Sequence, residues 1–312
     1  MRTFPECLPC FLRQGAVQAQ LVGADAAMAE RLRVVTESVM ATADLSQSPP
    51  ELAHDLHSAL RAVHGVADSF AAEKRQFNAL ALRLLPTLRA EVLRLSDPLA
   101  GALRLAMAAN LIDTGIHPGI DETQILAALE SAMLATDDGV DVLAFETAVQ
   151  TAGSILYLAD NTGEIVLDRL LLEFLPREKI TVAVRGSAIL NDALYEDAVT
   201  AGIDTLVPVI SNGDDSPGTV LRRCSTEFRT VFQAADLIIS KGQGNFETLF
   251  DTATHKNIIF LLTAKCPVVA RMLNTTMGSR VLRCSWSMES QKPENGVCFQ
   301  PTGTSALPGV KP

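Results

Sequence analysis

The chain has 312 residues, 48% hydrophobic, 20% charged and 5% aromatic, with a formal net charge of −10. That length can bury a sizeable core in one large or two smaller domains, built mainly from Leu, Ala, Val and Ile. The acidic balance, with no Lys/Arg cluster, excludes nucleic acid and anionic membrane surfaces as natural partners. A phosphate ester would need a local cation, either a metal or a placed Lys. No apolar stretch of about 18 residues marks a membrane span. The opening MRTFPECLPCFLRQ has no signal-peptide core. A cytoplasmic location is expected.

In chain order, PECLPC places Cys7 and Cys10 in a CxxC spacing before a helix. Residues 11–150 then read as helical. A run over 11–43 is rich in Ala and Leu at three- and four-residue spacings. Ser48 followed by two prolines and Glu51 is a helix start. Pro86 is expected to bend or divide the helix around it. Ser96 or Asp97 opens a further helix, and DETQILAALESAM is another. Residues 1–150 are therefore expected to form a helical N-terminal domain.

After residue 150 short β-branched runs alternate with helical ones. SILYLAD, KITVAVRG, TLVPVIS, DLIISKG and NIIFLLTA read as five strands. Continuous apolar strands separated by helices predict an α/β fold, a largely parallel sheet covered on both faces. An α/β core is expected over 151–282, and an irregular tail over 283–312.

The junctions that follow the strands carry the polar chemistry, and such junctions are where ligands bind. Asp160 and Asn161 follow the first strand, and Asp192 follows the second. Consecutive strands are usually neighbours, so these three would meet. Two carboxylates and a carboxamide suit a hard divalent cation. The alternative is that they cap the next helices. Gly163 and Glu164 open the first crossover helix, whose free N–H groups could hold phosphate, with Glu164 as a base or as plain first-turn stabilisation. SKGQGNFE puts Lys241 at the end of the fourth strand between small residues, as a cation for phosphate or as a solvated lysine in a glycine turn. Asn245 and Glu247 could orient ligand or water. Asp214 and Asp215 read as helix-initiating. Asn110 and Asp113, at the end of an apolar helix, could lean over the site. Cys7 and Cys10, joined by Cys266, could form a second metal or redox site, or be packed thiols. His54, His57 and His64 lack clean ligand spacing and read as surface or interface residues.

PECLPCFLRQ (5–14), SDPLAGALRLAMAANLIDTG (96–115), LADNTGEIVLDRLLLE (158–173), VAVRGSAILNDALYEDA (182–198), DLIISKGQGNFETL (236–249) and AKCPVVA (264–270) together resemble the domain of unknown function 89 family. These are the metal-dependent damage-control phosphatases, and the likeness is to the prokaryotic branch with an N-terminal CxxC. The resemblance implies a helical N-terminal part on a Rossmann-like α/β/α core. It implies a divalent metal (Mn, Co, Ni or Mg) on Asp160, Asn161 and Asp192, and Lys241 on the substrate phosphate. It implies hydrolysis of sugar phosphates or damaged phosphometabolites by a metal-activated water, with Asp192, Glu164 or Glu247 as proton acceptor. Two departures are Ala109, where the family usually has Gly, and the segment after about Met272. The alternatives are a metal- or ligand-binding protein centred on CxxC, and a methyltransferase using S-adenosylmethionine.

Overall fold

A computed structural model describes residues 1–109, 121–135, 140–251 and 256–285. The described residues begin with the helices α1 (Leu8–Leu21), α2 (Ala26–Ala41), α3 (Pro49–His64), α4 (Ala71–Arg94), α5 (Pro98–Ala108) and α6 (Glu122–Leu134). After α7 (Val142–Thr151) come β1 (Ile155–Leu158), α8 (Glu164–Leu172), β2 (Ile180–Val184), α9 (Tyr195–Thr200) and β3 (Val209–Ser211). The chain continues through α10 (Thr226–Ala234), β4 (Leu237–Lys241), α11 (Gln243–Leu249), β5 (Asn257–Thr263), α12 (Pro267–Met272) and β6 (Arg280–Cys284). No described helix is long and apolar enough to cross a membrane.

Local chemistry sets most helix ends. Ser48 and Glu51 form a capping box, and Gly65 closes α3 at φ 75°. The helical run over 11–43 breaks between Leu21 and Ala26, where Gly23 adopts φ 61° and Asp25 accepts a bond from the Met28 N–H at 2.8 Å. Pro86 does not divide α4, which runs unbroken from Ala71 to Arg94. Leu84, Leu85 and Leu88 around it are buried, and their packing outweighs one missing hydrogen bond.

The sheet is the largely parallel one expected, in the order β3-β2-β1-β4-β5-β6. Pairs β1–β2, β1–β4, β2–β3 and β4–β5 are parallel. The sixth strand, β6, pairs antiparallel with β5 and was not expected. The boundary drawn at residue 282 falls inside it. Arg280 and Arg283 hide its strand character in the sequence, and the edge of β5 supplies its hydrogen bonds.

Three apolar clusters organise the molecule. One joins α4 to α8 with the sheet face carrying Ile155, Tyr157, Leu237 and Ile239. A second covers the opposite face with Met1, Phe228, Phe246 and Val269. The third ties α1, α2 and α3 together through Phe11, Leu32 and Leu56. The order of connections reverses between β1 and β4. A crevice opens beyond the carboxyl ends of such strands.

Candidate metal and phosphate site

The carboxyl ends of β1 and β4 are covered by loops locked to each other. Asn161 and Asp192 form an isolated antiparallel bridge. The Ala193 N–H donates to the Asp160 carbonyl at 2.8 Å, and the Thr162 N–H to the Asn191 carbonyl at 2.9 Å. The loop after β2 thus folds back over the loop after β1. Leu190, at φ 45°, takes up the strain of that return. Asp160, Asn161 and Asp192 are thereby brought together and buried. Neither carboxylate caps a helix: α8 begins at Gly163 without a side-chain cap, and the Leu194 N–H is taken by Asp197.

The electrostatics suit a cation. Four buried carboxylates, Asp160, Glu164, Asp168 and Asp192, face two buried cations, Lys241 and Arg185. Among the described residues, the charges of Lys265 and Lys74 also act on Asp160 and Asp192. Burial, then the charges of Glu164 and Asp192, drive Asp160 well above the usual carboxylate range, against the pull of Lys265 and Arg185. Burial also raises Asp192, although Arg185 Nε donates to its Oδ2 at 2.6 Å. The Asn161 amide nitrogen donates to Asp160 Oδ2 at 3.1 Å and Glu164 Oε1 at 3.0 Å. Among the described residues no three His, Cys, Asp or Glu side chains form a metal-holding group. Asp160, Asn161 and Asp192 bring two carboxylates and one carboxamide together, donor chemistry of the kind a hard cation takes.

Other expected site residues are committed to partners within the protein. Lys241 is 1% exposed, with its ammonium 2.5 Å from Asp168 Oδ1 and 3.5 Å from Glu164 Oε2. The Gly163 N–H donates to Asn78 Oδ1 at 2.8 Å, so it faces the protein rather than a ligand. Asn245 is a brace: its amide donates to the Ala159 and Lys241 carbonyls at 3.2 and 2.7 Å, and its oxygen accepts from Thr219 at 2.8 Å. Both ends are used, which ties β1 to β4. Asp214 and Asp215 start no helix. They pair with Arg223 at 2.9 Å and with His54 at 3.0 Å. His57 is buried against Gln14, and burial, then Arg61, lowers its pKa to about 4. Asn110 and Asp113 lie outside the described residues.

Glu247 sits with the cysteines, not with Asp160. Gln243 Nε2 donates to its Oε1 at 2.8 Å and approaches Cys266 Sγ at 3.6 Å. The Met1 nitrogen donates to the Glu247 carbonyl. Burial raises the half-buried Cys7 thiol, and Glu247, Cys266 and Cys10 add to the rise, so all four are neighbours. Cys10 is exposed beside Arg13. The five described cysteines are free thiols.

Burial raises the Glu247 carboxyl from 4.5 to about 7. A raised folded-state pKa makes the neutral form the stabilising one. Its contribution is complete below pH 4.5 and is lost as pH climbs through 7, roughly 3 kcal/mol in all. Glu247→Gln should therefore be more stable than wild type at pH 8 and no better at pH 4. Urea midpoints at the two pH values measure this, and an equal shift at both would refute it.

Four residues of the site carry no motif of their own. Asp168 lies one turn beyond Glu164 in a helix buried on all sides, and a carboxylate in so apolar a run was the available signal. Arg185 directly follows a buried strand. Asn78, on α4, bridges Gly163 to Asp197. Lys265, just past β5, is exposed, and its charge acts on Asp160.

Residues 3–281 match the family model described as damage-control phosphatase ARMT1-like domain. The match extends past Met272, where the resemblance had been expected to lapse. A damage-control phosphatase of Archaeoglobus fulgidus is 32% identical, over 91% of this chain and 99% of the relative. One from Pyrococcus horikoshii is 33% identical, over 90% and 97%. A crystal structure of a DUF89 family protein from Pyrococcus horikoshii superposes with a TM-score of 0.83 at 30% identity, covering 90% of this chain and 98% of that one.

Proposed function

Since the chain belongs to the damage-control phosphatase ARMT1-like family, we propose that it hydrolyses phosphate monoesters of small, sugar-like or damaged metabolites. The observation that carries this is the buried acidic cluster at the switch point, where the charges of Glu164 and Asp192 act against that of Asp160. Asp160, Asn161 and Asp192 would hold that ion. Once bound, it would neutralise phosphate charge and lower the pKa of a neighbouring water.

The chain's own groups do the rest. Arg185 donates to Asp192 Oδ2 at 2.6 Å and opposes the rise that burial imposes on that carboxyl. Lys265, exposed and within electrostatic reach of Asp160, meets the substrate phosphate. Glu164, held by Asn161 at 3.0 Å, takes the proton from the attacking water. Glu247 lies away from this group and has no part in it. Free thiols suit a reducing, cytoplasmic setting. The named relatives are phosphatases and lend no support to a methyltransferase or to a role centred on CxxC alone.

The test is phosphate release from sugar phosphates and p-nitrophenyl phosphate, with metal-stripped protein and single divalent metals added back. Lys265→Ala should raise KM about tenfold, the worth of one charged hydrogen bond. No release with any metal, from folded and metal-loaded protein, would overturn the proposal.

A further inference from the structure

We propose that Lys241 and Asp168 form a buried positioning pair that holds Glu164 against Asn161, and that the Lys241 ammonium never touches the substrate phosphate. The proposal rests on the phosphatase reading for its kinetic consequences and on the structure for its geometry.

Strand alternation decides where Lys241 points. It shares its face of β4 with Leu237 and Ile239, which pack in the same cluster as α8. Glu164 and Asp168 stand four residues apart on α8, hence on one face. Both reach the Lys241 ammonium, Asp168 at 2.5 Å and Glu164 at 3.5 Å. Asn245 fixes the base of the lysine by donating to its carbonyl at 2.7 Å.

The inequality of the two distances matters. Asp168 takes the lysine closely, which leaves Glu164 loosely attracted through Oε2. Its Oε1 is then free to accept from Asn161 at 3.0 Å. Asp168 Oδ1 takes the lysine, and its carboxylate also interacts with the buried Tyr157 hydroxyl. Burial pushes Asp168 up to about 6 despite the lysine. Burial pulls the lysine down, but Asp168 and Glu164 outweigh it and leave it above its ordinary value. A cation so committed reaches a substrate only by breaking a dry ion pair, whose partner would be stranded.

Three variants test the proposal: Lys241→Met, Asp168→Asn, and the double change of Lys241→Met with Asp168→Leu. The double variant removes both charges of the pair, so neither member is left stranded by loss of the other, and its melting temperature checks that it folds. With Mn²⁺ and p-nitrophenyl phosphate, kcat should fall about 100-fold in Lys241→Met and in the double variant. In Asp168→Asn the released lysine closes on Glu164, and kcat should fall about tenfold. In all three, KM and the inhibition constant of inorganic phosphate should stay within about threefold of wild type. A tenfold or larger rise in either constant for Lys241→Met would make the lysine a substrate ligand and overturn the proposal. Wild-type kcat in the double variant would do the same, because the pair would then be structural alone. If the wild-type protein releases no phosphate, the phosphatase reading fails by itself. Calorimetric binding of inorganic phosphate to the Mn²⁺-loaded protein still decides the lysine's role: unchanged binding in Lys241→Met supports the proposal, and lost binding overturns it.

Discussion

Asp160→Asn is expected to lose phosphate release by about three orders of magnitude, while its metal-free form melts higher than metal-free wild type. Asp160 is buried among Glu164 and Asp192, and its charge is disfavoured by burial first and by both neighbours after it. An amide of the same shape removes that repulsion. It also removes a charged oxygen from the set of Asp160, Asn161 and Asp192, where a hard cation needs it. The site is thus a place where stability is sacrificed to function, and the two should separate in one variant. Each kcal/mol of relief should raise Tm by about 1.5 °C in a chain of this size. Calorimetry in chelator and phosphate release with metal restored are the two measurements. Retained activity would remove Asp160 from the metal set. A lower melting temperature would remove the repulsion.

Gly242→Ala is expected to be nearly as damaging, though Gly242 is not itself proposed as a ligand. Its φ is +79°, and a Cβ there would lie 1.9 Å from Asp160 Oδ2 and 2.1 Å from Asp160 Cγ. The methyl group must displace the carboxylate that the site is built on. A displacement of that order costs catalysis about 100-fold or more, and backbone strain adds roughly 1–3 kcal/mol of destabilisation. Gly278→Ala is the control. It has φ +84° and nothing within 4 Å of its added Cβ. It should share the strain and keep full kcat. A Gly242→Ala protein with normal kcat and lowered Tm would show that Asp160 can move without loss. The glycine would then serve the backbone alone.

Part of this site was legible in the residues. Asp160, Asn161 and Asp192 stand out because they follow apolar strands, and a parallel sheet gathers the ends of its strands on one edge. Asp168 was hidden because the periodicity of a helix buried on all sides does not say which face a carboxylate occupies. Arg185 and Lys265 read as ordinary residues after a strand. Glu247 shares a short segment with Lys241, yet it faces Gln243 and the cysteines instead of the crevice. Six residues of helix and turn are enough to reverse direction. Asn245, which from the sequence could orient ligand or water, is instead a brace, and only its bonds to the Ala159 and Lys241 carbonyls reveal that.

By itself the sequence determined the α/β class and a largely parallel sheet, since unbroken apolar strands are stable only when helices cover both faces. It also determined the family, because several short segments recur in order along most of the chain. The tertiary structure alone decided the partner of each polar side chain. That assignment depends on which face of α8 meets β4, on the return of the 186–194 loop over β1, and on the strand alternation that turns Lys241 inward. Those are relations between residues far apart in the chain. Local propensity carries no term for them, and the balance between burial and charge that tunes the site exists only once they are made.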